Sequence, residues 1–389
     1  MTQPAPERRT IDIRVPRIWW WVLAVVVFLA LIVAGWLLVT LRADAVIMAF
    51  PALVPFGIVL AGVWWLDRWE PEPRLLMLLA VLYGAGASIL GTLLTGNFML
   101  RVTSEILATR GEVNGFAAVV QGPIIEEAIK CLGIVLLLLI ARREFNGPVD
   151  GFIYAALIGA GFAFTENIVY FAGHGGTELE FVRLLVVRGI LSPFAHVLFT
   201  GLAGMALGWA ARRGGTGRIS IAFLLGLLAA IVAHAFWNGG SVVVVPLLGL
   251  DPREPVGWVV FYTLTQVPMF LLLAWLLLRL VDQDRTMTRR RLEEYREAGW
   301  FTPNEIEVIT DWDARVRALR WSRTFGPRAE QAMSGFIQAS VRLAFAREHA
   351  RIDKTDPDRR TVERVLLEEV RARRAEVQEA LAAAPGARG

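Results

Sequence analysis

Eight long apolar runs, at residues 18–41, 46–66, 75–99, 116–141, 151–173, 184–211, 219–241 and 256–281, leave this chain few possible folds. Each is long enough to cross the ~30 Å hydrocarbon layer of a bilayer as a helix. No water reaches the backbone there, so every N–H and C=O must pair within its own run. The expected class is all-α: a polytopic membrane bundle of about eight transmembrane helices with a helical C-terminal region. A mean hydropathy of +0.51 and 14 Trp in 389 residues separate the chain from soluble enzymes.

The first run follows Arg8, Arg9, Arg14 and Arg17 and opens on Trp19, Trp20 and Trp21. It is too long for a signal-peptide core and lacks a small-residue cleavage site, so it reads as a retained span. Arg68, Arg74, Arg142, Arg143, Arg212, Arg213 and Arg218 enrich alternate connections, and Arg285 and Arg289–Arg291 follow the last span. The positive-inside rule then places both termini in the cytoplasm. The sequence pI of about 9.6 does not point to nucleic acid, because the arginines sit at the ends of apolar runs and the net charge is only +4. A single cysteine, Cys131, excludes an intramolecular disulfide and reads as a packing residue.

Residues 1–17 form a cytoplasmic tail, 18–281 the transmembrane domain and 282–389 a charged, mostly helical cytoplasmic region with a disordered end. That last region holds 21 Lys+Arg and 19 Asp+Glu, with amphipathic stretches at 288–298, 304–321, 327–350 and 359–383. Thr302-Pro303-Asn304-Glu305 has the pattern of a capped helix start. Between the second and third runs, Asp67-Arg68-Trp69-Glu70-Pro71-Glu72-Pro73-Arg74 reads as a solvated cytoplasmic turn.

The fourth run contains Glu126, Glu127 and Lys130. Charges at mid-membrane cost roughly 2.5–3.5 kcal/mol each on insertion scales. Lys130 falls four residues after Glu126 and three after Glu127, on one helix face, which lowers that cost. Such a cluster serves chemistry or transport, or else is a buried ion pair that only locks helices together. The fifth run adds Glu166 and Asn167. The sixth has His196 with Thr200 one turn on, and the seventh has His234 with Asn238 one turn on. At ~1.5 Å per residue the acids and histidines all lie roughly 10–18 Å below the outer ends of their runs. His174, in an external loop, reads as solvated, and His349 belongs to the C-terminal region.

Imidazoles and carboxylates at one depth suit two chemistries. His196, His234 and Glu166 could hold zinc, leaving a glutamate to take a proton from the metal-bound water. No H-E-x-x-H is present. Without metal, one glutamate would serve as general base while a His–Asn pair stabilises the oxyanion.

Glu126-Glu127-x-x-Lys130, Phe162-x-x-x-Glu166-Asn167, His196-x-x-x-Thr200 and His234-x-x-x-Asn238, in this order on consecutive runs, resemble the PrsW-type intramembrane proteases. Those belong to a superfamily with CAAX prenyl proteases and bacteriocin-processing membrane proteins. The acidic, Pro-rich stretch at 67–74 is also similar to one that family carries. The resemblance implies a multi-pass protease of the bacterial cell membrane that cuts a single-span membrane protein, such as an anti-sigma factor, in regulated proteolysis. It implies Glu126 as the water-activating base, with Glu127 and Lys130 holding the helix and its charge state. Glu166 would shuttle protons, ligate or partner a histidine. His196 would be a second catalytic or ligand histidine, and His234 with Asn238 would stabilise the oxyanion. The family has been called both metallo- and glutamic-type, so zinc stays open. The partners implied are the lipid bilayer and the substrate, with no nucleic acid. Two other classes use the same residues: a proton- or ion-coupled transporter, and a scaffold in which the polar groups are dispensable.

Overall fold

The computed structural model describes residues 16–106, 110–173, 176–251, 254–352 and 357–383, and every regular element among them is helical. The bundle comprises α1 (Arg17–Leu41), α2 (Ala43–Asp67), α3 (Arg74–Ile106), α4 (Gly122–Ile140), α5 (Pro148–Ala172), α6 (Ala195–Arg213), α7 (Thr216–Leu247) and α8 (Val267–Glu297). Among the described residues, seven helices are long and apolar enough to cross a membrane: α1, α2, α3, α5, α7, the stretch Glu178–Arg213 that ends in α6, and Val256–Glu297 that ends in α8. The eighth expected run is α4, 19 residues long and set apart by Glu126, Glu127 and Lys130. It tolerates them because they turn inward: Glu127 and Lys130 are both 0% exposed.

Among the described residues, π turns lie within α3 at Tyr83–Ser88 and ahead of α4, α6 and α8 at Ala117–Gln121, Leu185–Leu191 and Tyr262–Gln266. The last three each end just before a proline, Pro123, Pro193 or Pro268. A proline has no N–H to return to the preceding turn, and the chain relieves the clash by winding wider.

The bundle is organised around α5, buried along nearly its whole length against α2, α3 and α6. Its contact with α6 is backbone to backbone. A Cβ on Gly151 would lie 2.1 Å from the Gly204 carbonyl oxygen, and one on Gly204 would lie 2.2 Å from that of Gly151. Small residues allow this approach where lipid supplies no hydrophobic drive between helices. Gly151→Val should therefore cost about 1–3 kcal/mol by overpacking. Gly35→Ala, whose Cβ meets nothing within 4 Å, should change little in the same detergent unfolding measurement.

The last span does not stop at residue 281 but runs unbroken to Glu297. It leads into α9 (Pro303–Thr310), α10 (Trp312–Arg323), α11 (Pro327–Ile352) and α12 (Pro357–Ala382). These pack around a second core that includes Leu292, Tyr295, Phe301, Ile306, Phe336 and Val370. The expected cap is present: Thr302 Oγ1 accepts the Glu305 N–H at 3.2 Å, and Glu305 accepts the Thr302 N–H at 2.8 Å. The expected 304–321 stretch is split where Asp311 caps α10 through the Ala314 N–H, at 2.9 Å.

The turn at 67–74 is not solvated. Trp69 and Glu72 are buried, and α10 clamps the turn from the C-terminal side. Arg315 donates to the Trp69 carbonyl at 2.9 Å and covers the Trp69 ring at 4.2 Å, while Arg68 lies 4.1 Å from the Trp312 ring. On the other side, Tyr154 of α5 donates to Glu72, and Asn146 donates to Glu70 at 2.9 Å. Burial first, and Asp150 second, push the carboxyl groups of Glu70 and Glu72 well above the ordinary glutamate range. A carboxyl raised in the folded state stabilises fully below its unfolded pKa, and that contribution is lost as pH rises through the folded value. Glu72→Gln keeps an acceptor for Tyr154 and cannot ionise. It should flatten the loss of stability on raising pH, measured by thermal unfolding in detergent.

Candidate active site

The polar residues of four helices meet at one place. Glu127 of α4 is fully used there. Its Oε1 accepts from Lys130 Nζ at 2.5 Å and faces His234 Nδ1 at 2.9 Å, and its Oε2 accepts the Thr200 hydroxyl at 2.9 Å. Lys130 Nζ also lies 3.0 Å from His196 Nδ1 and 4.5 Å from the Phe162 ring centroid. The motif phenylalanine thus offers its negative ring face to a buried ammonium.

The donors fix the histidine tautomers. An ammonium can only donate, so His196 Nδ1 accepts and its Nε2 carries the proton, directed at Glu166 Oε2 2.9 Å away. Glu127, held by a cation, accepts from His234 Nδ1–H, which leaves His234 Nε2 with a lone pair. That nitrogen lies 4.0 Å from Glu126 Oε2. The His234 ring stacks on Phe199 at 4.6 Å, which sets its plane.

Glu126 differs sharply from its neighbour. Its Oε2 is buried without a hydrogen-bond partner and lies 3.8 Å from Lys130. Adjacent residues point about 100° apart around a helix, so one carboxylate is locked and the other faces the remaining space.

Asn167 and Thr200 are both engaged, the first as acceptor for Arg188 and the second as donor to Glu127. Asn238 is not brought into the cluster: it is exposed, and its amide donates to the Ala118 carbonyl at 2.9 Å. In the π turn Gly122 N–H bonds the Ala117 carbonyl, so the next donor in line for Ala118 is Pro123, which has none. Asn238 satisfies the carbonyl that the proline leaves open. Cys131 is fully buried, as a packing residue would be. His349 lies on α11, away from the cluster, and His174 falls outside the described residues.

The residues not foreseen as members are Arg188, Phe199 and Tyr83. Arg188 pairs with Glu166 and donates to Asn167 at 2.8 Å. Its signal was available: a charge inside an apolar run, eight residues before His196. Tyr83 donates to the Ile129 carbonyl at 3.0 Å, tying the π turn of α3 to α4. Nothing in the spacing distinguishes it from a core tyrosine.

Glu126, Glu127, His196 and His234 offer ligand atoms that all lie within 4.8 Å of one another. Glu166 is not in that set, being held by Arg188 and His196. Two carboxylates and two imidazoles fit a divalent cation such as zinc. Glu126 Oε2 and His234 Nε2 are open to it, whereas the near atoms of Glu127 and His196 already face Lys130.

Residues 72–273 match the family described as PrsW family intramembrane metalloprotease. Over 155 residues the chain is 30% identical to Protease PrsW of Geobacillus kaustophilus (strain HTA426), covering 39% of this chain and 62% of that one. It is 30% identical over 151 residues to Protease PrsW of Clostridioides difficile (strain 630), covering 38% and 59%. With Protease PrsW of Bacillus subtilis (strain 168) the identity is 28% over 155 residues, covering 39% and 64%. The chain therefore spans about three-fifths of the length of these curated relatives. No solved structure matches it. The family match covers more than half of the chain, including all four helices that build the cluster, and the chain belongs to the PrsW family of intramembrane metalloproteases.

Proposed function

We propose that this protein is an intramembrane endopeptidase of the bacterial plasma membrane. Its substrate would be a single-span membrane protein, of the kind that includes anti-sigma-factor-like regulators, and both termini would be cytoplasmic. The observation that carries this reading is Glu126, a buried carboxylate oxygen without a partner, 4.0 Å from His234 Nε2 within an otherwise satisfied polar network.

A water between those two acceptors donates one hydrogen to each and keeps a lone pair for the substrate carbonyl. Glu126 takes the proton as the water oxygen attacks, then returns it to the leaving amine. The expected His234–Asn238 oxyanion pair is replaced in this reading, since His234 Nδ1 is engaged with Glu127 and the Asn238 amide is turned to the Ala118 carbonyl. Lys130 has three protons, of which Glu127 and His196 engage two; the third is on hand for the developing negative charge. Bound zinc, held by Glu126 and His234, would supply an activated water and a Lewis acid at the same place.

The test is cleavage of candidate single-span proteins by the purified protein in detergent, beside metal analysis. Under the zinc reading, exhaustive chelation inactivates the enzyme and His234→Ala lowers the metal content. Activity that survives chelation with no bound metal leaves the glutamic reading alone. For orientation, a reporter fused after Asp282 should behave as cytoplasmic and one inserted at 176–180 as external. The reverse pattern would place the cluster in the half of the membrane nearer the cytoplasm.

A further inference from the structure

We propose that the groove between segments 178–191 and 255–266 receives the membrane helix of the substrate, one face of which rests on Leu184, Val187 and Trp258. This deepens the peptidase reading and rests on it for the identity of the occupant.

The two segments are the ends, opposite the C-terminal region, of the spans that finish in α6 and α8. Each is a short helix followed by a π turn: Glu178–Leu184 with Leu185–Leu191, and Pro255–Phe261 with Tyr262–Gln266. The groove between them has a volume of about 320 Å³ and is lined by Glu180, Arg183, Leu184, Val187 and Trp258. Residue number converts to depth along a helix, so Glu180 and Arg183 stand nearer the end of the bundle and Leu184 and Val187 further in. That is the polarity profile of a helix leaving a bilayer. One turn deeper, four residues after Val187 and after Trp258, the walls are joined: Tyr262 donates its hydroxyl to the Leu191 carbonyl at 2.8 Å. The Ala195 N–H, the helical partner of that carbonyl, bonds Ser192 at 3.2 Å instead. The Tyr262 ring stacks on Trp258 at 5.3 Å, which makes this wall a fixed aromatic face.

The groove adjoins the polar cluster. Its 178–191 wall is fastened to α5 through Arg188, which donates to Glu166 and, at 2.8 Å, to Asn167. Its 255–266 wall is fastened to α7 through Phe261 and Phe236, with ring centroids 5.8 Å apart and two residues from His234. The walls thus belong to the Glu166 side and the His234 side of the cluster. Exposure follows the same line. The side chains of Arg188, Glu166 and Glu126 are 23%, 18% and 16% exposed, whereas those of Glu127 and Lys130 are 0%. A lipid chain would fit the apolar wall alone. A groove beside unsealed carboxylates and a guanidinium suits a peptide, whose backbone groups need partners inside a bilayer. Its volume takes the side chains of one helix face, as anchors spaced i, i+4.

The test uses Glu126→Gln in nanodiscs with a designed single-span probe. The probe is a Leu/Ala helix of about 20 residues, long enough to cross the bilayer, with photoleucine one turn below its outer border. Mass spectrometry should place the adducts on Leu184, Val187 and Trp258. Val187→Trp fills the groove and should lower their yield about tenfold, the scale of overpacking a fitted site. With Glu126 intact and a single-span substrate, Val187→Trp should raise KM by a similar factor and leave kcat within about threefold, as when substrate binding alone is lost. If Val187→Trp fails to insert, Leu184→Phe carries the same test. Adducts only on other lipid-facing residues, such as Phe98 of α3, or at equal density over all of them, overturn the inference, and lipid then fills the groove. Groove adducts in a protein whose wild type cleaves no single-span protein leave the inference standing and sink the peptidase reading. Cleavage by wild type with adducts elsewhere does the reverse.

Discussion

Glu126→Gln should reduce peptide hydrolysis by about 10²–10⁴-fold, the usual contribution of a general base. The amide keeps the volume of the side chain and loses only the ability to take a proton. Insertion and abundance should stay near wild type, because an amide is cheaper to bury than a carboxylate. The contrast with Glu127→Gln makes the result specific. Glu127 accepts from Lys130, His234 and Thr200, so its substitution should lower stability together with activity. Measurement of kcat and of thermal unfolding on both variants separates the two cases. Wild-type cleavage by Glu126→Gln would remove this residue from the chemistry.

Lys130→Met should have the second large effect. The ammonium is fully buried and faces Glu127 at 2.5 Å and His196 at 3.0 Å. Removing one partner of a buried pair strands the other, at about 3–5 kcal/mol. It also removes the positive group to which the proposed mechanism assigns the oxyanion, an expected loss of about 10²–10³ in kcat where such donors have been deleted. The double variant Lys130→Met/Glu127→Gln no longer strands a charge, so it should regain most of the stability and none of the activity. Recovery of both would mean that the pair only fastens helices; recovery of neither would mean that His196 and His234 also need it.

Much of the site was legible in the sequence because a membrane simplifies the problem. Each apolar run must be a helix, so residue number converts directly to depth. Glu126, Glu166, His196 and His234 could be placed at one level before any contact was known. The i, i+4 spacing that put His196 and Thr200 on one face also held, since both reach the groups of α4. The same rule could not show the partner of Asn238, because Pro123 on another helix leaves the Ala118 carbonyl unmet and the amide donates to it. The 67–74 turn misled for a similar reason. Its charges and prolines look solvated, but Arg315, 246 residues away from Trp69, covers it.

Helix class, the inventory of polar groups and their depth were set by the sequence alone, through apolar run length and the demand that backbone groups pair inside the bilayer. The rotation of each helix, and hence which of two adjacent glutamates stays open and which groups face each imidazole, was decided only by the tertiary structure. Depth follows from position along one helix, whereas these choices depend on donors and acceptors supplied by its neighbours.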